Sequence, residues 1–116
     1  MRTTSQPAFV TDTLKLVQAL VLREEVHISL HGYDELVEDR IRIGDVVAGL
    51  PNALVIEDYP TYAKGPCVLV LQRDSDGKPL HIVWGIATGR TTPAVLITAY
   101  RPDPAKWDAS WRRRRR

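Results

Sequence analysis

Apolar residues in the first half of the chain recur at helical spacing. Thr11 or Asp12 can cap a helix over residues 11–25, because short polar side chains accept hydrogen bonds from the first backbone amides of a helix. The apolar positions of this helix cover more than one side, which predicts that it is well buried. Two shorter helical patterns follow, over residues 32–39 and 43–50.

The spacing of apolar residues changes from helical to alternating after Pro51-Asn52. A short piece, V-H-I-S-L, already alternates between the first two helices. The predicted strands of the second half cover residues 53–57, 67–73, 79–86 and 93–101. The sequence Asp74-Ser75-Asp76-Gly77 predicts a hairpin turn between two of them. Helices followed by strands indicate an α+β fold, with the helices on one face of a roughly four-stranded antiparallel sheet.

The length of 116 residues fits one domain, and 44% apolar with 26% charged residues is ordinary for a globular protein. We expect a lead-in over residues 1–10, a single α+β domain over 11–111 and a basic tail over 112–116. No apolar run is long enough for a membrane span, and the first six residues do not resemble a secretory signal. Cys67 is the single cysteine, which is typical of a cytoplasmic protein.

The net charge of +2 comes from the end of the chain. Five of the 16 basic residues form the run Arg112 to Arg116, so the rest has 11 basic and 14 acidic residues and a net charge of −3. RNA binding must therefore rest on local patches or on the tail, where Arg112, Arg113 and Arg114 follow Trp111. The alternative is a solvated, disordered end. The acidic residues at 34, 35, 38 and 39 are interpreted as a solvated helix face.

His31 lies where an extended piece meets the start of the second predicted helix. The electropositive end of a helix favours a neutral imidazole, and a neutral imidazole can act as a general base toward a ribose 2′-hydroxyl. The alternative is structural, with His31 capping the helix or bonding a strand carbonyl.

His81 lies in the third predicted strand, on the face opposite Leu80, Ile82 and Trp84. If those three face the helices, His81 projects from the open face, and Tyr100 either joins it or lies in the core. A histidine, a tyrosine and Arg101 on one sheet face would suit RNA cleavage, by moving protons and holding phosphate. The alternative is an ordinary polar outer face.

The remaining candidates for phosphate or metal binding have little support in the sequence. Lys64 can contact phosphate, but no glycine-rich nucleotide motif accompanies it. His27 and His31 are four residues apart, but they fall on an extended piece rather than on a helix, so a helical zinc pair is not expected. We therefore expect neither a metal site nor a cofactor.

Three stretches resemble a known bacterial family. They read I-S-L-H-G-Y-D-E-L followed by E-D-R-I-R-I-G-D-V-V, then G-K-P-L-H-I-V-W, then L-I-T-A-Y-R-P-D-P-A-K-W. Together they resemble domain-of-unknown-function family 4258, over about Val26 to Trp107. That family is similar to the RelE and BrnT toxins, whose helices precede a small antiparallel sheet. By position, the family-like polar residues are His31, His81 and Tyr100.

The resemblance implies an RNA endonuclease, acting on the ribosome or on free RNA and neutralised by an antitoxin protein. In this first hypothesis His31 or His81 accepts a proton, Tyr100 donates one, and Arg101 and the tail hold phosphate. The second hypothesis is a non-enzymatic interaction module that binds a protein through the sheet edge or the arginine tail. The acidic charge of the body favours the second. A small-molecule binding domain is a third, minor alternative.

Overall fold

The computed structural model describes residues 10–116, so the predicted lead-in lies almost wholly outside the described residues. Three helices are present: α1 (Asp12–Leu22), α2 (Leu30–Glu38) and α3 (Ile43–Gly49), the last followed by a 3₁₀ turn (Leu50–Asn52). The five strands are β1 (Val26–Ile28), β2 (Leu54–Tyr59), β3 (Cys67–Arg73), β4 (Pro79–Gly85) and β5 (Ala94–Tyr100). The predicted α+β class is confirmed, and no helix among the described residues is long and apolar enough to cross a membrane.

The sheet has the strand order β1-β5-β4-β3-β2. Strands β2 to β5 form the predicted antiparallel meander. The V-H-I piece is a fifth strand, β1, which pairs in parallel with β5 from Val26↔Ala94 to Ile28↔Leu96. The expectation of a purely antiparallel sheet is therefore corrected to a mixed sheet of five strands. Alternation predicts an extended segment, but it does not say which strand that segment will pair with.

The main core lies between the helices and one face of the sheet. Leu14, Val17 and Leu20 of α1 and alternate residues of β3 and β4 are buried together in it. Trp84 is fully buried, and its indole N–H donates to Gln72 Oε1 at 3.0 Å. Gln72 in turn donates to the Val46 carbonyl at 2.7 Å, so these polar groups are satisfied. This network ties α3 to β3 beneath the helices.

Helix α2 begins at Leu30, two residues earlier than predicted, because Ser29 is its cap. The Ser29 hydroxyl accepts from the Gly32 backbone N–H at 2.9 Å and also contacts the Ile97 carbonyl oxygen at 3.2 Å. Gly32 then lets the helix lie directly on β5, since a Cβ at this position would be 2.8 Å from the Leu96 carbonyl oxygen. The cap and the glycine together fix α2 against β5.

Two carboxylates, one on α2 and one on the residue that caps its C-terminus, accept hydrogen bonds along the edge of β5 beyond β1. Glu35 accepts from the Ala99 backbone N–H at 3.0 Å, and Asp39 accepts from that of Arg101 at 2.9 Å. The interpretation of the acidic stretch as a solvated face is thus wrong for Glu35 and Asp39. It fits Asp34 and Glu38, which are exposed. The spacing of acidic residues along the chain does not reveal that their side chains accept hydrogen bonds from the backbone of a neighbouring strand.

Residues 102–116, here called the C-terminal segment, pack on the second face of the sheet. The segment folds back on itself: Trp107 and Arg114 form a β-bridge, and the Arg115 N–H donates to the Lys106 carbonyl at 2.8 Å. Trp107 is buried against this face. Charge composition predicts a free, solvated end at 112–116. The structure instead ties Arg112, Arg114 and Arg115 to the domain through side-chain contacts, while Arg113 to Arg116 stay exposed.

Candidate functional site

His81 and Tyr100 are direct cross-strand neighbours on β4 and β5. The His81 Nδ1 lies 3.0 Å from the Tyr100 hydroxyl, and its Nε2 lies 2.6 Å from the Trp111 carbonyl oxygen. A carbonyl only accepts hydrogen bonds, so Nε2 carries the ring proton. In the neutral ring Nδ1 is then an acceptor, and the Tyr100 hydroxyl donates to it. The result is a linear chain of hydrogen bonds that runs from the Tyr100 phenol through the His81 imidazole to the Trp111 carbonyl.

His81 is completely buried, although the sequence placed it on an open face. It does project from the face opposite the helices, but the C-terminal segment covers that face. The edge of the ring meets Trp107 at 4.4 Å and Tyr100 at 5.1 Å between centroids. Burial lowers the pKa of His81, and Arg114 contributes in the same direction, while the Trp111 carbonyl opposes them. The imidazole is therefore neutral near pH 7.

Tyr100 is half-buried and opens into a cleft of about 580 Å³. Burial raises the pKa of its phenol, partly offset by the positive charge of Arg114, so the hydroxyl keeps its proton at neutral pH. Four of the seven residues that line the cleft are basic. The lining residues are Tyr100, Ala105, Lys106, Trp107, Arg114, Arg115 and Arg116. The cleft thus combines one hydroxyl, backed by a histidine, with a concentration of positive charge.

Two of the four basic residues at the cleft are held by side-chain contacts within the chain. The Arg114 guanidinium lies 4.9 Å from the centre of the Trp107 ring, and 3.6 Å separates its Nη1 from Glu57 Oε2. The Arg115 Nε donates to the Pro104 carbonyl at 2.8 Å. These contacts keep Arg114 and Arg115 on the rim beside Tyr100.

Arg112 and Arg113 point elsewhere. Arg112 donates from Nη2 to the Val55 carbonyl at 3.0 Å, and both arginines line another cavity, with Asp108 and Ser110. Of the three tail arginines proposed from the sequence for RNA binding, the structure brings only Arg114 to Tyr100.

Arg101 and Lys64 also lie away from the cleft lining. The Arg101 guanidinium donates to the Asp39 and Arg40 carbonyls and to Asp74 Oδ2, the last at 3.0 Å. It therefore joins the end of α2 to the β3–β4 turn. Lys64 lines a separate cavity of about 330 Å³, together with Cys67 and Gly85.

His31 is in the first turn of α2 and is exposed. Its Nε2 lies 3.2 Å from Glu35 Oε1, the same oxygen that accepts from the Ala99 N–H. His31 does not line the cleft of Tyr100. The structure thus brings His81 and Tyr100 together and leaves His31 apart.

Sequence reasoning did not assign a role to Lys106, to Trp107 or to the backbone of Trp111. A signal for them existed, because the run T-A-Y-R-P-D-P-A-K-W and the following W-R-R-R-R-R interleave aromatic and basic residues. We interpreted that composition as a tail rather than as a surface. Among residues 10–116, no group of three or more histidine, cysteine, aspartate or glutamate side chains is placed to hold a metal ion.

The sequence profile of the family described as Domain of unknown function (DUF4258) matches residues 28–101. The chain belongs to this family. The family resemblance seen in the sequence is confirmed, whereas the relationship to RelE and BrnT toxins stays a prediction. The matched region includes His31, His81 and Tyr100 and ends before the C-terminal segment. No curated protein and no solved structure shows significant similarity to the chain.

Proposed function

We propose that the protein is a toxin-like endoribonuclease that binds single-stranded RNA in the cleft beside Tyr100 and cleaves it by acid–base chemistry. One observation carries the proposal: Tyr100, whose hydroxyl is hydrogen-bonded to a neutral buried histidine, lines a cleft together with four basic residues. Neutral histidines paired with a hydroxyl are common proton acceptors in enzymes.

In the proposed step, the ribose 2′-oxygen attacks the adjacent phosphorus, and the bond from phosphorus to the 5′-oxygen breaks. The 2′-hydroxyl proton passes to the Tyr100 oxygen while the Tyr100 proton passes to His81 Nδ1. The Trp111 carbonyl stabilises the resulting imidazolium through its bond to Nε2–H. The leaving 5′-oxygen takes a proton from water in the cleft, and the hydroxide left behind takes back the proton of His81 through the Tyr100 hydroxyl. The products are a 2′,3′-cyclic phosphate and a 5′-hydroxyl end.

The cationic residues have a different role in this proposal. Lys106 and Arg114 to Arg116 would bind the RNA backbone and stabilise the charge that builds up on the phosphate during attack. Because these contacts are ionic, RNA affinity should fall steeply as salt concentration rises. The acidic remainder of the body would favour binding at the cleft over other surfaces.

The experiment compares wild type, Tyr100→Phe and the control Tyr59→Phe on a labelled single-stranded RNA, with a chelator present. Tyr59 also carries a hydrogen-bonded hydroxyl, but it is exposed and bonds to Glu57. We expect wild type and Tyr59→Phe to yield cyclic-phosphate ends. Tyr100→Phe should cleave about 10²- to 10⁴-fold more slowly and still bind the RNA. Induction in cells should inhibit growth only for the two active forms.

Two results would contradict the proposal. One is a folded wild type that leaves RNA intact both free and on ribosomes. The other is a Tyr100→Phe variant that cleaves as fast as Tyr59→Phe. A Lys106→Glu variant separates binding from chemistry, since it should raise the RNA dissociation constant without moving the cleavage position.

A further inference from the structure

Helix α2 exposes a stripe of large apolar side chains. Leu30, Tyr33 and Val37 are 79%, 57% and 62% exposed. Their spacing of three and four residues places them along one side of the helix. Three large, exposed apolar residues on two turns of a nine-residue helix form a contiguous patch rather than scattered positions.

A second stripe on the same helix is acidic. Asp34 and Glu38 are exposed, are four residues apart and lie next to the apolar stripe around the helix. His31 and Glu35 follow further around, joined at 3.2 Å. The remaining side, with Gly32 and Leu36, is buried. Helix α2 therefore has three sides: one on β5, one exposed and apolar, and one exposed and acidic.

The orientation of these stripes is fixed by the fold. The Ser29 cap, the close packing of Gly32 and the bonds from β5 to Glu35 and Asp39 hold the helix in one rotation about its axis. Both exposed stripes are thus presented without reorganisation, which lowers the cost of binding a partner.

We propose that this side of α2 is a docking surface for a protein partner whose amphipathic segment carries apolar residues beside lysine or arginine. The apolar stripe supplies area to bury, and the acidic stripe selects the charge of the partner. RNA is disfavoured here by like charge. The inference uses none of the residues of the proposed cleavage site and is independent of it.

A second copy of the chain fits less well as the occupant. The obvious basic element of another copy is its C-terminal run, but Arg112, Arg114 and Arg115 already make contacts within their own chain. Docking that run on α2 would require breaking those contacts. A separate basic and apolar segment meets no such cost.

The test uses a synthetic helical peptide of about 18 residues with leucine on one face and lysine beside it. A matched peptide has glutamate in place of lysine. Fluorescence anisotropy should show the lysine peptide binding roughly tenfold more tightly than the glutamate peptide. Equal affinity for both peptides would overturn the role of the acidic stripe.

Two variants and two controls locate the binding. Leu30→Ser with Val37→Ser removes the apolar stripe, and Asp34→Lys with Glu38→Lys reverses the acidic one. Each should weaken lysine-peptide binding roughly tenfold. The charge reversal should also strengthen binding of the glutamate peptide. The controls are Leu22→Ser, on another helix where the leucine is 85% exposed, and Asp76→Lys, in the β3–β4 turn. Both controls should bind like wild type.

Three outcomes would overturn the proposal. One is stripe variants that bind the lysine peptide as tightly as the controls do. Another is a weakening of the same size in all four variants. The third is a wild-type dimer in sedimentation that becomes monomeric in the Leu30→Ser, Val37→Ser variant, which would assign the surface to a second copy. RNA cleavage by the stripe variants should be unchanged, so failure of this proposal and failure of the cleavage proposal are distinguishable.

Discussion

Replacing Tyr100 with phenylalanine removes a single oxygen from the second face of the sheet. That oxygen donates to His81 Nδ1 at 3.0 Å. His81 is completely buried, and its other nitrogen is held by the Trp111 carbonyl, so the ring cannot turn to find another partner without breaking a second bond. Tyr100→Phe therefore leaves a buried acceptor unsatisfied while keeping the aromatic ring and its packing.

The cost is set by desolvation of that acceptor, about 1–3 kcal/mol of unfolding free energy. For a domain of this size, such a loss lowers the thermal midpoint by roughly 4–20 °C. Urea unfolding measures the free energy, and Tyr59→Phe is the control, expected to change it by less than about 0.5 kcal/mol. In a double-mutant cycle with His81→Leu, the coupling energy should be about 1 kcal/mol.

An unchanged unfolding free energy in Tyr100→Phe would refute this reasoning. It would mean that water reaches His81 Nδ1, and hence that the C-terminal segment does not seal the face. The same measurement supports the cleavage assay, because it shows how much of any lost activity comes from unfolding.

Two other substitutions test the packing and the buried imidazole. Gly32→Ala should destabilise the fold by about 1–3 kcal/mol, since its Cβ would lie 2.8 Å from the Leu96 carbonyl oxygen, and Gly44→Ala, at an open position, is the control in urea unfolding. The lowered pKa of His81 predicts a pH dependence: below its ordinary value of 6.5 the unfolded chain binds a proton that the folded chain does not. As the pH is lowered from 6.5 to the pKa of His81 in the folded protein, the unfolding free energy of the wild type should fall by at most about 1.4 kcal/mol per pH unit. Urea titrations of His81→Phe should lack this component of the pH dependence. A slope that is identical in the two proteins would show that His81 is solvated.

The local pattern predicted most of the fold. Helix periodicity located the three helices found among residues 10–116, and the Asp-Gly turn located the β3–β4 hairpin. The partner of β1 could not be predicted, because β1 and β5 are separated by most of the chain and only tertiary packing brings them together. The same long-range pairing explains why Glu35 and Asp39 were interpreted as solvent-facing.

The pairing of His81 with Tyr100 depends on a detail that periodicity does not contain. Leu96 faces the core, so strict alternation would place Tyr100 in the core as well. The pairing of β5 with β4 shifts by one residue opposite Val83 and Trp84. This bulge reverses the face of the sheet to which each of the last residues of β5 points. Ala99 then faces the core and Tyr100 faces His81. The sequence left both placements of Tyr100 open for this reason.

The contacts of the C-terminal segment were not predicted, because a terminal run of like charge usually is solvated. Here Trp107 supplies a buried anchor, and the arginines bond to backbone carbonyls rather than to acidic side chains alone. Amino-acid composition cannot distinguish a guanidinium that is solvated from one that donates a hydrogen bond to a backbone carbonyl. The C-terminal segment supplies the basic rim of the candidate site, whereas His81 and Tyr100 lie on strands of the sheet. The sequence therefore pointed to the histidine and the tyrosine but not to the residues of the rim.

The carboxylates that α2 places along β5 have a consequence for how the molecule behaves at high concentration. Strand β1 covers only three residues of that edge, and the N–H groups of Ala99 and Arg101 would otherwise be available to a strand of another molecule. An uncovered β edge is a template for aggregation and for strand addition. Glu35 and Asp39 occupy those donors and place negative charge beside them, which disfavours the addition of a foreign strand at this edge.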